Sequence, residues 1–398
     1  MNKGALANLR VVDVSTVIAG SVASSMMADH GAEVYKVENP GTGDPQRNLE
    51  PKKGALSLWH KVAGRNKKTL TLKLSSPEGA EILKKLVAKT DILIENFRPG
   101  TMEKWGLSWE ELKAINPKLV MVRISGFGQD GPYASRPGFG TIAESFAGLP
   151  IRTGFPSGPP TLSPFALSDD LAGLFAAFSA MFAVYNLDHG TGEGQVIDIG
   201  LHEPTFRIIE DQVIAYDQLG VIPERVGNRV PWAAPRGVFQ SKDGKWISLS
   251  AVSDQPVRRL LTVVGGVELA EDPRFKTNAL RLENVDELET YIRDWINART
   301  EAEVLDIFER SDVVAGALYD VERIASDPQY VHRESIVTVD DPELGPTRVP
   351  GIIPKFMATP GHVEHLSTPL GHHNEEIYCD GLGISRDELK NLRETGVI

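Results

Sequence analysis

The chain has 398 residues, 41% hydrophobic and 24% charged, with a formal net charge of -12. That is ordinary globular composition with room for two or three cores, and its acidic balance repels phosphate backbones, which argues against nucleic acid as a partner. The single cysteine, Cys379, excludes an intrachain disulfide and a cysteine-rich metal site, and suits the cytoplasm.

The opening MNKGALANLRVVDVS has no long apolar core before a small-residue cleavage site, so no signal peptide is expected. LRVVDVS (9–15) reads as a strand, residues 19–30 as a helix closed by Gly31, and EVYKVE (33–38) as a second strand. Strand, helix and strand within about 30 residues form a parallel βαβ unit. The rhythm continues with a strand at 69–74, a helix over 77–88 and a strand over 91–97. A helix over 109–114 and a strand over 119–128 follow. The fold class is therefore α/β, with a doubly wound parallel sheet. The longest apolar stretch, 171–185, falls short of the roughly 20 residues of a membrane span and reads as a buried helix, so no membrane contact is expected. Farther on, Asp243-Gly244 between two strand-like runs predicts a hairpin. With helices over 255–264, 286–298 and 301–310, it makes a smaller α+β region. The tail beyond about 330 is rich in proline and glycine and is expected to be mostly irregular, with a last helix over 385–394.

Chemistry is sparse. The first strand-to-helix turn, S-T-V-I-A-G-S, has only Gly20 where a dinucleotide fingerprint needs three glycines. His202-Glu203 and His372-His373 lack further ligands at metal-binding spacing, so no metal is expected. No G-x-S-x-G elbow occurs. The sharpest feature is Asp169 in A-L-S-D-D-L-A-G, ahead of the long apolar helix. It reads as a helix N-cap, or as a carboxylate nucleophile held by a helix N-terminus, with Asp170 a competitor for either role. Short basic clusters, R-N-K-K (65–68), Arg98, Lys104 and Arg136, are solvated surface charges or parts of a phosphate-binding site at the carboxyl ends of the strands.

Taken in order, LRVVDVS, GAEVYKVENPGTGDPQR, N-K-K-T, DILIENFRPGTMEKWGLSWEELKAINPKLV, ISGFGQDGPY, ALSDDLAG, GTGEGQVIDIGLHE and DPQYVHRES resemble the class III CoA-transferases over nearly the whole chain. GFGTIAESFAGL and the RESI…PGIIPKF pair look most like the crotonobetainyl-CoA:carnitine CoA-transferases, and the formyl-CoA:oxalate CoA-transferases and the dicarboxylate transferases share the frame. The resemblance implies a CoA-transferase that moves CoA from an acyl-CoA to a free acid through an aspartyl-CoA thioester on Asp169. It implies no permanently bound cofactor, with coenzyme A and acyl-CoA as substrates. CoA contacts would fall on Val17, Ile18, Leu72, Asn96, Phe97, Lys104 and Arg136, with Arg98 and Phe139 alongside.

The same resemblance implies a Rossmann-like large domain with an inserted small α+β domain, and two ring-like chains interlocked as a homodimer. The expected parts are 1–200 (large domain), 201–225 (linker helix), 226–325 (small domain) and 326–398 (a return to the large domain). Two departures stand out. Asn39 replaces an arginine often found after the second strand, so Arg47 or Lys68 would take over the contact with the adenine or the 3′-phosphate. Phe139-Gly140 replaces an aromatic hydroxyl followed by an acid, which points away from oxalate as the acid bound. The run of glycines that covers the intermediate in the formyl-type enzymes is also missing, and V-G-N-R-V-P-W-A-A-P-R-G (226–237) stands in that part of the chain. The rival readings are a 2-methylacyl-CoA racemase, which needs a histidine at position 139, and a non-catalytic subunit of a heteromeric transferase.

Overall fold

Near-continuous burial along short apolar strands builds the larger of two units in the computed structural model, which describes residues 4–398. Six parallel strands form its sheet: β1 (Arg10–Asp13), β2 (Glu33–Glu38), β3 (Lys67–Thr71), β4 (Ile92–Glu95), β5 (Val120–Ser125) and β6 (Val196–Gly200). Their spatial order is β3-β2-β1-β4-β5-β6. Val12 stands opposite Tyr35 of β2 and Leu93 of β4, so the chain winds outward both ways from the β1/β4 pair. That reversal is where open α/β sheets bind ligands.

Both faces of the sheet are covered, as parallel sheets require. Val12, Leu93 and Met121 point to one face, where α2 (Pro77–Val87) packs through Leu83 and Leu86. Val11, Ile92, Ile94, Val120 and Val122 point to the other, against α1 (Ala19–Asp29) and the long helix α4 (Leu167–His189). A short helix, α3 (Gly140–Ala147), precedes α4 and contributes Ala143 to this second core. Ser76 caps α2 by accepting from Gly79 N–H, with Pro77 at the first helical position.

Several expectations need correction. α4 spans 23 residues, so it is long and apolar enough to cross a membrane by length and composition, which the 171–185 run concealed. A row of alanines, Ala172, Ala176, Ala180 and Ala183, is buried, while Phe182 and Tyr185 are about two-thirds exposed. The sixth strand, β6, had no counterpart among the expected strands. Residues 201–225 hold two short helices, His202–Ile208 and Asp211–Leu219, rather than one. The tail is not irregular throughout, since Ile336–Asp341 pairs antiparallel with Gly345–Pro350.

The larger unit comprises residues up to 149, 162–219 and 332–398, and the smaller one 150–161 with 220–331. In the smaller unit β7 (Arg236–Gln240) and β8 (Trp246–Ser250) form the expected hairpin, with Gly244 at φ +78, and Ala315–Ala317 adds a third antiparallel strand. Helices Asp254–Ala270, Val285–Asn297 and Glu301–Arg310 cover it through Leu260, Ile292 and Phe308. The first of these is broken at Gly265 and Gly266.

Candidate active site

Asp169 lies in the first turn of α4, not before it. The helix begins at Leu167, its N-cap is Ala166, and no side chain caps it. The capping reading is therefore wrong, and the carboxylate has no such duty. Acidic groups in a first turn are favoured by the helix dipole.

The other wall of the site is the start of α3. Phe139 is its N-cap, is 74% exposed, and is followed by buried Gly140. A Cβ at position 140 would lie 2.0 Å from Asp169 Oδ2. The missing side chain is thus the space the carboxylate occupies. Burial pushes the Asp169 carboxyl up to about 6, with Asp170 and Glu144 adding like-charge repulsion. Burial alone raises Asp170. Among the described residues no hydrogen-bond donor offsets the shift at Asp169. Next to it, Ser168 is fully buried and exchanges a 2.6 Å hydrogen bond with Thr205. Glu144 accepts from Ser163 N–H at 3.2 Å. A carboxylate that is fixed at its base, free at its tip and more basic than usual has the attributes of a nucleophile.

One turn beyond Asp169, on the same face of α4, is Gly173. A Cβ there would sit 2.6 Å from Ala19 O and 2.6 Å from Val22 Cβ. The absent side chain lets α4 lie directly on the first turn of α1. Val17 and Ile18, expected to touch CoA, directly precede α1 and are not among the residues lining the cavity at the carboxyl ends of the strands.

At the carboxyl ends of the strands is a cavity of about 210 Å³, lined by Ser15, Thr16, Glu38, Leu72, Phe97 and Trp105 among others. It sits at the β1/β4 reversal. Two of the residues expected to touch CoA, Leu72 and Phe97, line it directly. Asn96 instead braces the loop above it, since its side chain accepts from Thr16 N–H and donates to Thr16 O, both at 2.7 Å. Arg98 and Lys104, just beyond β4, are exposed. Arg136 stacks on Tyr133, its guanidinium 3.6 Å from the ring centre.

The two substitutes for the absent arginine are already occupied. Arg47 makes a two-pronged contact with buried Glu38, at 2.6 and 2.7 Å. Lys68 pairs with Glu33 and Glu376 at 2.9 and 2.7 Å. Lys67, read in sequence as a surface or phosphate-binding charge, is fully buried; its Nζ donates to Ser21 O at 2.9 Å. Burial pushes Lys67 down to about 8 against the pull of Asp13. Sequence reading missed the network to which it belongs: Asp13, Lys36, Asp44 and Lys67 beneath the 15–18 loop. Lys36 Nζ lies 3.4 Å from Asp13 and 3.2 Å from Asp44. The only sequence signal was charged residues within or near apolar strands.

The chain matches the family model described as CoA-transferase family III over residues 6–374. It is 41% identical to a succinyl-CoA–D-citramalate CoA-transferase of Chloroflexus aurantiacus, over 99% of this chain and 98% of that protein. It is 31% identical to a formyl-CoA:oxalate CoA-transferase of Streptomyces coelicolor, over the whole of both. A CAIB/BAIF family protein from Brucella suis has a crystal structure similar to this one, with a TM-score of 0.84 and 30% identity over 96% of this chain and 100% of that one.

Proposed function

Because the chain belongs to CoA-transferase family III and is a CoA-transferase of that class, we propose that it works through a covalent intermediate on Asp169. The unpartnered, half-buried carboxylate over the gap at Gly140 is the observation that carries this reading.

Asp169 attacks the donor thioester carbonyl and the C–S bond breaks, giving a mixed anhydride and CoA thiolate. The thiolate attacks the Asp169 carbonyl and expels the donor acid as its carboxylate, leaving an aspartyl-CoA thioester. The acceptor carboxylate then attacks that carbonyl and releases the thiolate. The thiolate takes the acyl group from the second anhydride, and free Asp169 returns. Donor and product are both thioesters, so the whole transfer is near energy-neutral although the anhydrides between them lie higher, and the covalent relay divides a difficult exchange into easier ones. CoA held in the cavity keeps the thiolate beside the anhydride. Leu72 and Phe97 offer apolar contact for it, and Arg98, Lys104 and Arg136 are the cations for its phosphates. Main-chain N–H groups where α3 begins are candidates to stabilise the oxyanions.

For substrates we propose a succinyl-type CoA donor and a hydroxydicarboxylic acceptor of the malate or citramalate kind. Support comes from relatives named for those acids, 38% and 41% identical over 99% of the chain. Phe139 offers no hydroxyl to hold a compact acid such as oxalate, and no proton-carrying group for racemisation. The working form proposed is a homodimer, supported by the apolar side chains exposed along α4, and the place proposed for it is the cytoplasm, in keeping with a single cysteine.

The test is intact mass after incubation with a panel of acyl-CoAs, then hydroxylamine trapping and peptide mapping. A hydroxamate on the peptide holding Asp169 is expected with succinyl-CoA. A protein that transfers CoA yet never yields that adduct would overturn the covalent reading.

A further inference from the structure

The loop between β1 and α1 is held in an unusual way. Val17 is β-branched, yet its φ is +65, a region such residues avoid. No backbone ladder keeps it there. Ser15 N–H donates to Asp13 Oδ1 at 2.9 Å, and Ser15 O accepts from Lys36 Nζ at 2.5 Å. Both polar main-chain groups of Thr16 go to the Asn96 amide. Val17 N–H donates to the Asp44 carboxylate, 3.1 and 3.2 Å from its two oxygens. Side chains from four separate places thus mould three successive residues. Asp44 is itself fixed: it is 2% exposed, lies 3.2 Å from Lys36 Nζ and accepts from Gln46 N–H at 2.8 Å.

The moulded loop runs straight into the first turn of α1, at Ala19, which touches Gly173 one turn from Asp169. We infer that Asp44 is a positioning residue for the transfer reaction: by holding Val17 left-handed it sets the start of α1, and the thioester above it, against Asp169. The inference rests on the proposed role of Asp169. Its rival is that Asp44 only neutralises Lys36 and caps the 45–48 turn, in which case its loss is indifferent to the residue at 17.

Glycine separates the two, because it adopts positive φ without steric cost. The experiment is a double-mutant cycle on the full chain with Asp44→Ala and Val17→Gly, read as kcat and KM for CoA transfer. Asp44→Ala is expected to lower kcat about 100-fold, as small misplacements at reacting centres do, while KM for the acyl-CoA changes less than about threefold. In the Val17→Gly background the same change is expected to cost about tenfold less, the sign of coupling between the two positions. Equal losses in both backgrounds, or a loss confined to KM, would overturn the inference. Should Asp44→Ala not fold, Asp44→Asn goes through the same cycle and is judged by the same coupling. The cycle is read on CoA transfer itself, so it stands or falls separately from the trapping of an Asp169 adduct.

Discussion

At the scale of single residues, the site trades stability for reactivity. Asp169 has an ordinary value of 3.8 in the unfolded chain and about 6 when folded. Between those values the folded protein holds more protons than the unfolded one, so this group's effect on stability worsens as pH rises, and the penalty is complete above about 6. Ionisation there costs on the order of 1–3 kcal/mol. Asp169→Asn is therefore expected to lower the transfer rate by at least about 10³-fold, as loss of a nucleophile does, and yet to raise Tm at pH 8 and not at pH 4. Calorimetry of the two proteins at both pH values checks it. In the unmodified enzyme, kcat is expected to fall below pH 6, where the nucleophile takes up a proton. Gly140→Ala puts a methyl group where Oδ2 now lies. It is expected to keep acyl-CoA binding and lose about 100-fold in kcat, from displacement of the carboxylate; isothermal titration beside steady-state rates separates the two. Asp169 was legible in sequence because its segment carries the family resemblance. Asp13, Lys36, Asp44 and Lys67 were not, because a charge in a strand (or, for Asp44, in a turn) reads as a solvent face until the pairing of distant segments buries it.

At the scale of elements, the close crossing of α1 and α4 depends on one missing side chain. Gly173→Ala would force α4 off Ala19 and Val22, at a cost of about 1–3 kcal/mol for overpacking. A lower urea midpoint with an unchanged m-value is the expected result. The alternation of strands and helices up to residue 125 was readable from period and turn signals, as were the Asp243-Gly244 hairpin and the three helices that follow it. The hairpin of Ile336–Asp341 and Gly345–Pro350 was not, because Pro342, Pro346 and Pro350 speak against strands. It is a two-stranded ribbon, in which prolines can face the unpaired side. The break at Gly265-Gly266 explains why periodicity ended that helix early: the stretch is two helical pieces in succession.

At the scale of the whole molecule, the exposed apolar side of α4 awaits cover. Phe178, Phe182 and Tyr185 are 40%, 67% and 66% exposed, more contiguous apolar surface than an isolated helix face needs. In the proposed homodimer, sedimentation at micromolar concentration gives twice the chain mass, and Phe182→Asp shifts it toward a single chain. The large unit also closes in a particular order. The outer strand β3 is sealed by residues far downstream: Thr69 N–H donates to His373 Nδ1 across 304 positions, and Thr71 N–H to Asn374 Oδ1. At roughly 5–20 residues per second, a ribosome leaves that edge open for roughly 15–60 s after β3 has emerged. An unpaired sheet edge is a template for aggregation, so the nascent chain spends most of its synthesis needing protection that residues about 300 positions downstream finally supply.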